Sequence, residues 1–250
     1  MITTKTSEEI EKMRSPCRTA GLVRETLADM LRPGITTASL DEEAEALISS
    51  LGVRSAFKGY HGYPGSVCIS VNEEVVHGLP GSRRIDMGDI VSLDVGILEN
   101  GFYGDTAVTV MVGVSDLNIM RLVETTRLAL YAGIAHARAG QRLSDISNAI
   151  EQTASSAGFS VVRDFVGHGI GRQLHEDPQI PNYGPPGRGP MLAEGMTLAI
   201  EPMLNMGLAA VKVLQDGWTV VTRDSLPSAH FEHTVLVGRL DAQVLTDFSC

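Results

Sequence analysis

Two strand-like segments joined by an Asn-Gly turn, each with an aspartate inside it, constrain this chain more than any other feature. Ile90-Val91-Ser92-Leu93-Asp94-Val95-Gly96 and Gly101-Phe102-Tyr103-Gly104-Asp105-Thr106-Ala107-Val108 both read as strands, with Glu99-Asn100-Gly101 between them as a hairpin turn. In such a hairpin the carboxylates of Asp94 and Asp105 fall near each other across the ladder. A buried pair of like charges is unfavourable unless a cation or a shared proton offsets it. A metal site is therefore the first expectation for this hairpin.

The rest of the chain allows such a site to be enclosed. Its 250 residues, 43% hydrophobic and 20% charged, permit a sizeable core, and one domain over 1–250 is expected. A net charge of -10 speaks against a general binder of nucleic acid or anionic membrane, and no Lys/Arg cluster announces a basic patch. Acidic side chains are also what a divalent cation requires. Cys17, Cys68 and Cys250 are odd in number, widely spaced and without a CxxC, so neither a zinc ribbon nor a disulfide framework is indicated. Met1 to Thr6 lacks an apolar signal core and no apolar run is long enough to span a bilayer, so a cytoplasmic setting is expected.

Element order points to two similar halves. Thr6 and Glu9 form a capping-box pattern, followed by Ile10, Met13, Cys17, Ala20, Leu27 and Met30 at helical spacing. Pro16 is expected to kink or split this helix, and Arg32-Pro33-Gly34 to end it. Ser39 and Glu42 suggest a second capped helix, closed by Gly52. Strands are expected at Val67–Val71, Asp89–Leu98 and Phe102–Val112. A long helix capped by Ser115 follows, carrying Leu122, Val123, Leu130 and Ile134, then a helix over Ser144–Ala157 ended by Gly158. Further strands are expected at Ser160–Asp164, Met196–Ile200, Thr219–Val221 and Phe231–Val237, with Pro178–Pro190 as an ordered loop. Two helices then strands, twice over, suggest an α+β unit of two related halves.

The second half supplies further donors. Gly167-His168-Gly169-Ile170-Gly171 places a histidine in a glycine-rich loop. Glu201 stands at the end of an apolar strand and Glu232 at the start of another. Singly, each has an ordinary alternative: a hydrogen-bonding histidine, a solvated glutamate, or an aspartate capping a turn. Five donors, each in or beside an apolar strand, are harder to place as solvated surface.

Asp94, Asp105, His168, Glu201 and Glu232, with their surroundings, resemble the metal site of the methionine aminopeptidases, whose pita-bread fold also includes prolidases and proline aminopeptidases. The resemblance runs from Glu9-Ile10-Glu11-Lys12-Met13 to Val237. Its most specific pieces are Gly59-Tyr60-His61-Gly62-Tyr63-Pro64, Val71-Asn72-Glu73-Glu74-Val75-Val76-His77-Gly78, Gly167-His168-Gly169-Ile170-Gly171 and Phe231-Glu232-His233-Thr234. Length and an uninterrupted second half are similar to the short bacterial type I members. The implied fold is a curved antiparallel sheet covered by helices, in two pseudo-symmetric halves. The implied activity is removal of the initiator methionine from nascent chains, preferring a small second residue. A monomer is the default expectation, and transient contact with the ribosome is an expectation that composition does not speak to.

By this resemblance two divalent ions (cobalt, manganese, iron, nickel or zinc) are held by the five side chains. Asp105 and Glu232 bridge the pair, Asp94 completes one ion, and His168 and Glu201 complete the other. Bridging carboxylates hold two cations about 3.5–4 Å apart, and a metal-bound hydroxide attacks the scissile carbonyl. Glu201 is the implied general base. His175 is implied to polarise the carbonyl, and His77 to contact substrate beside the scissile bond. Phe57, Tyr60, Tyr63, Cys68, Leu174 and Trp218 match the pocket for the methionine side chain, where an aromatic-walled slot suits a thioether; each alone is equally a core residue. Phe57 stands where a cysteine is often found, and Leu174 where an aromatic is. Asn72 and Ser228 match positions that hold a monovalent cation in some relatives. His61, His136, His230 and His233 receive no catalytic role. A proline-specific peptidase of the same fold, a non-catalytic binding protein on the same scaffold, and a two-metal nuclease are the competing readings.

Overall fold

The computed structural model describes residues 2–248; Met1, Ser249 and Cys250 lie outside the described residues, so Cys17 and Cys68 are the cysteines placed, both buried and free. The chain opens with helix α1 (Ser7–Met30) and helix α2 (Thr37–Ser50). Thr6 and Glu9 make the expected reciprocal cap of α1. Pro16 does not split the helix. Met13, Pro16, Cys17 and Ala20 are buried along its inner face, and tertiary packing holds the turn that proline would otherwise open. Capping of α2 differs from expectation: Thr36, not Ser39, is the N-cap, and Ser39 donates its N–H to the Thr36 hydroxyl. Docking decides this, because the first turn is tied to the 81–83 loop through Thr37 N–H to Arg83 C=O and Ala38 N–H to Gly81 C=O.

Short strands β1 (Arg54–Ser55), β2 (Cys68–Val71) and β3 (Glu74–Val76) lead to the long hairpin of β4 (Ile90–Glu99) and β5 (Phe102–Met111). Glu99 pairs with Phe102, so the loop is Asn100-Gly101 alone, with φ of 51° and 78°. Both signs are positive, as a two-residue hairpin turn matched to strand twist demands.

The second half begins with α3 (Leu117–Ala135), capped by Asp116 rather than Ser115, and α4 (Leu143–Ser156). Its strands are short: β6 (Ser160–Val161), β7 (Gly167–Gly169), β8 (Glu176–Ile180), β9 (Thr197–Ile200), β10 (Met203–Asn205), β11 (Val211–Val213), β12 (Val220–Thr222), β13 (Ser228–His230), β14 (Glu232–Leu236) and β15 (Gln243–Val244). The segment expected as a strand over 160–164 keeps only two paired residues. The expected glycine loop at His168 is instead a strand, held between β8 and β9.

A nine-stranded sheet runs β1-β4-β5-β14-β9-β7-β8, with β2 on β4 and β15 on β14. All its pairings are antiparallel. The centre is the β5–β14 junction, where the first half meets the second. Each half has its own core: Val91, Leu93, Val95 and Ile97 pack under α1 and α2, and Leu198, Ile200 and Val235 under α3 and α4. Two three-stranded sheets, β13-β10-β6 and β11-β12-β3, flank the main one. Among the described residues no helix is long and apolar enough to cross a membrane.

Candidate metal centre

Strand alternation puts all five donors on one face. Asp94 pairs with Ala107 and Asp105 with Gly96, so the two aspartates are diagonal neighbours on the same side of the hairpin. Glu232 pairs with the same Ala107. Thr234 and His168 both pair with Ala199, and Glu201 lies two residues beyond it. The residues between them, Leu93, Val95, Val108, Leu198 and Ile200, face the helix-covered cores instead. The two junction strands carry Asp105 and Glu232, one from each half. Outward from them, β4 brings Asp94 on one side, while β7 and the end of β9 bring His168 and Glu201 on the other.

The junction is held by threonine hydroxyls as well as backbone pairs. Thr106 donates to the Glu232 carbonyl at 2.8 Å. Thr234 accepts from Asp105 N–H at 3.0 Å and donates to the Asp105 carbonyl at 2.8 Å. Behind it, the buried Arg24 guanidinium donates to the Thr106 hydroxyl at 2.5 Å. The main chain at both acidic residues is thus fixed from the opposite strand.

The electrostatics call for a cation. Asp105 and Glu232 are 4% and 2% exposed, and Oδ1 of Asp94 and Oε1 of Glu232 are buried without a hydrogen-bond partner. Burial, then the neighbouring carboxylates, holds Asp94, Glu201 and Glu232 well above the usual carboxylate range. Burial lifts Asp105 to about 7. Ligand atoms of Asp105, His168 and Glu232 lie within 4.8 Å of one another. His168 donates from Nδ1 to the Gly169 carbonyl at 2.9 Å, which leaves Nε2 as the lone-pair nitrogen, 3.5 Å from Oε1 of Glu201. Burial keeps that ring neutral, down to a pKa of about 3. Orphaned oxygens and a neutral imidazole turned to one point are what a divalent metal takes.

The donors floor a cavity of about 350 Å³ whose walls include Phe57, Tyr60, Tyr63, Cys68, Leu174 and Trp218 as well as His77 and His175. The structure therefore gathers every residue that the sequence reading placed in the metal, catalytic and side-chain sets. Cys68 faces Asp94 across the β2–β4 ladder. Phe57 lies over Gly96, where a Cβ would come 2.6 Å from its ring. Tyr63 donates to the Gly78 carbonyl at 2.8 Å and stacks edge-on against Trp218. His175 bonds Tyr60 through Nδ1 at 2.8 Å, and its ring centre lies 4.3 Å from that of His168. His77 holds a left-handed backbone, φ 60°, with its ring edge-on to Phe165 and Trp218.

Two histidines left without a role by the sequence reading are also here. His61 lines the cavity, and His230 lies 3.8 Å from Glu201. The latter carries one visible signal: it precedes Glu232 by two positions in extended chain, a spacing that places alternate residues on a shared side. His136 and His233 are elsewhere, at the end of α3 and against Thr246. Asn72 and Ser228 do come together, Ser228 N–H to Asn72 C=O at 2.9 Å. Their side chains are hydrogen-bonded to Asp89, Ile90 and Leu204.

The family model for metallopeptidase family M24 matches residues 11–239. The chain is 50% identical over 246 residues to methionine aminopeptidase 1 of Bacillus subtilis, covering 98% of this chain and 99% of the relative. It belongs to the M24 metallopeptidases, among their methionine aminopeptidases. The crystal structure of methionine aminopeptidase from Thermotoga maritima superposes with a TM-score of 0.97 at 48% identity, covering 99% of this chain and 100% of that one. Prolidase from Pyrococcus furiosus, 24% identical, shares the fold alone, with a TM-score of 0.80 over 98% of this chain and 65% of that one. The fold is thus the pita-bread fold common to M24 aminopeptidases and prolidases, and the enzyme is a metal-dependent aminopeptidase. A divalent metal fits the cluster of Asp105, His168 and Glu232.

Proposed function

We propose that this enzyme removes the initiator methionine from nascent chains in the cytoplasm, acting as a monomer near the ribosome, with two divalent ions at its centre. One observation carries the reading: acidic and imidazole donors from both halves line the same cavity as a small aromatic-walled pocket. Asp105 and Glu232, on the two junction strands, would bridge the ions; Asp94 would hold one, and His168 with Glu201 the other. Bound there, divalent ions supply Lewis acidity and lower the pKa of water toward neutrality.

The remaining steps belong to side chains. Glu201 takes the proton released by the attacking water on a carboxylate oxygen and passes it to the leaving amine. Tyr60, donating to Nδ1 of His175, leaves the imidazole hydrogen on Nε2, from which it donates to the scissile carbonyl oxygen. His77, on the Trp218 side, orients the peptide beside the scissile bond. Phe57, Tyr63, Cys68, Leu174 and Trp218 receive the thioether side chain. Leu174 softens that wall and Phe57 narrows it, changes that alter discrimination by about 1–3 kcal/mol per methylene. The free terminal amine pairs with the acidic cluster, which an acetylated terminus does not.

The test is hydrolysis of Met-Ala-Ser against acetyl-Met-Ala-Ser, with and without chelator. Cleavage of the free peptide alone, abolished by chelator and restored by metal, is expected. Cleavage of Xaa-Pro dipeptides with Met-Ala-Ser untouched would move the chain to a prolidase specificity.

A further inference from the structure

His230 is a buried imidazole that the reaction scheme leaves unused. It is 2% exposed and ends β13. Its Nε2 lies 3.8 Å from Oε2 of Glu201 and has no hydrogen-bond partner. The other oxygen of the same carboxylate, Oε1, lies 3.5 Å from Nε2 of His168. The two oxygens of Glu201 therefore face different neighbours, one a member of the donor cluster and the other His230.

The seat of this ring is fixed through its backbone. His230 N–H donates to the Thr109 hydroxyl at 2.9 Å, and the same hydroxyl donates to the His230 carbonyl at 2.8 Å. Ser92 Oγ, 2.8 Å away, donates to Thr109 in turn. Met203, opposite in the β10–β13 ladder, holds the other side. Buried polar atoms are almost always bonded, so a nitrogen held this firmly and left open needs an acceptor. The nearest acidic oxygen is Oε2 of Glu201, and a movement of about 1 Å brings it to hydrogen-bond distance.

We propose that His230 is the positioning residue for Glu201: its Nε2–H donates to Oε2 and holds that oxygen free to carry the proton, while Oε1 serves the metal. The inference rests on the reading of Glu201 as both ligand and proton carrier. A carboxylate without such a partner is free to rotate and place both oxygens on the ion, leaving neither to accept a proton. The neutral imidazole suffices for this bond, provided its hydrogen is on Nε2.

Full-length wild type is compared with His230→Leu, His230→Gln and His230→Asn. The Nε2 of glutamine reaches the position of imidazole Nε2, whereas the asparagine amide reaches only that of Nδ1. Leu and Asn are expected to lower kcat on Met-Ala-Ser by about 10–100-fold with KM within about twofold, and Gln to restore most of the loss. Calorimetric titration of the metal-free proteins with Mn²⁺ is expected to show the Leu variant binding at least as tightly as wild type, since the freed oxygen turns to the ion. Wild-type kcat in His230→Leu, or equal kcat in the Gln and Asn variants, overturns the proposal. So does Mn²⁺ affinity that falls together with kcat in all three variants, which marks a structural support. If His230→Leu does not fold, the comparison of Gln with Asn decides. A wild type inactive on Met-Ala-Ser would refute the functional reading by itself, and the Mn²⁺ comparison would still test the contact.

Discussion

At the scale of single residues, position and environment separate the roles of Glu201 and His175. Glu201 is a carboxylate in a cluster, and replacing it by glutamine keeps its shape and removes its proton affinity. The Glu201→Gln variant is expected to fold normally, with kcat lowered at least about 10²–10⁴-fold; turnover within a factor of a few of wild type would remove Glu201 from the proton path. His175 touches His168 but is bonded through Tyr60, outside the donor cluster. His175→Ala should therefore cut kcat by about 10²–10³-fold with metal content unchanged. Loss of metal from that variant would reassign His175 as a ligand. The five expected ligands drew notice because each lies in or beside an apolar strand, as Asp94 does between Leu93 and Val95, but only the family resemblance joined them into one set. His230 was not read as functional: its one signal, the two-residue spacing from Glu232, fits a core imidazole equally well until Glu201 arrives from another strand.

At the scale of elements, the β4–β5 hairpin is the frame from which the site is measured. Its register was readable because Asn100-Gly101 permits a two-residue loop and alternation then fixes both faces. The short strands of the second half were harder. Two or three residues carry no period of their own, and β7 is a strand only because β8 and β9 pair with it. Helix starts failed for a related reason: Thr36 and Ser39 are equally good caps, and the 81–83 loop chooses between them. The pocket walls were legible through family resemblance rather than pattern. The hairpin also seats one of those walls. Gly96→Ala places a methyl 2.6 Å from the Phe57 ring and 2.9 Å from Ala56 Cβ, so a rigid strand must push the ring aside. A stability loss of about 1–3 kcal/mol and a raised KM for Met-Ala-Ser are expected from denaturation and steady-state kinetics. An unchanged KM would mean that Phe57 does not bound the substrate pocket.

At the scale of the whole molecule, two halves with separate cores meet where repulsion is concentrated. Four carboxylates raised above their ordinary values make the metal-free fold dependent on pH. Burial depresses His77 to about 4 and His168, His230 and His233 to about 3, and lowers His175 as well, so above about pH 7.5 these rings are neutral in folded and unfolded chains alike. In that range the carboxylates act, and the buried thiols of Cys17 and Cys68, raised by burial, add to them in the same direction. The folded chain holds more protons than the unfolded one, so raising the pH lowers stability. Between about pH 7.5 and about 8.5 the metal-free protein should lose at least about 2–4 °C of Tm, the shift that 1 kcal/mol produces in a chain of this size. Saturating Mn²⁺ should oppose the loss, because protons and metal compete for the same oxygens. A flat or rising Tm without metal would mean that the acidic cluster carries no strain. The most direct measurement is calorimetric titration of the metal-free protein with Mn²⁺ or Co²⁺, beside Asp105→Asn and Glu232→Gln. Two ions per chain are expected in the wild type, with both lost from the tight range when either junction carboxylate is neutralised. Wild-type stoichiometry and affinity in those variants would contradict a centre shared between the halves.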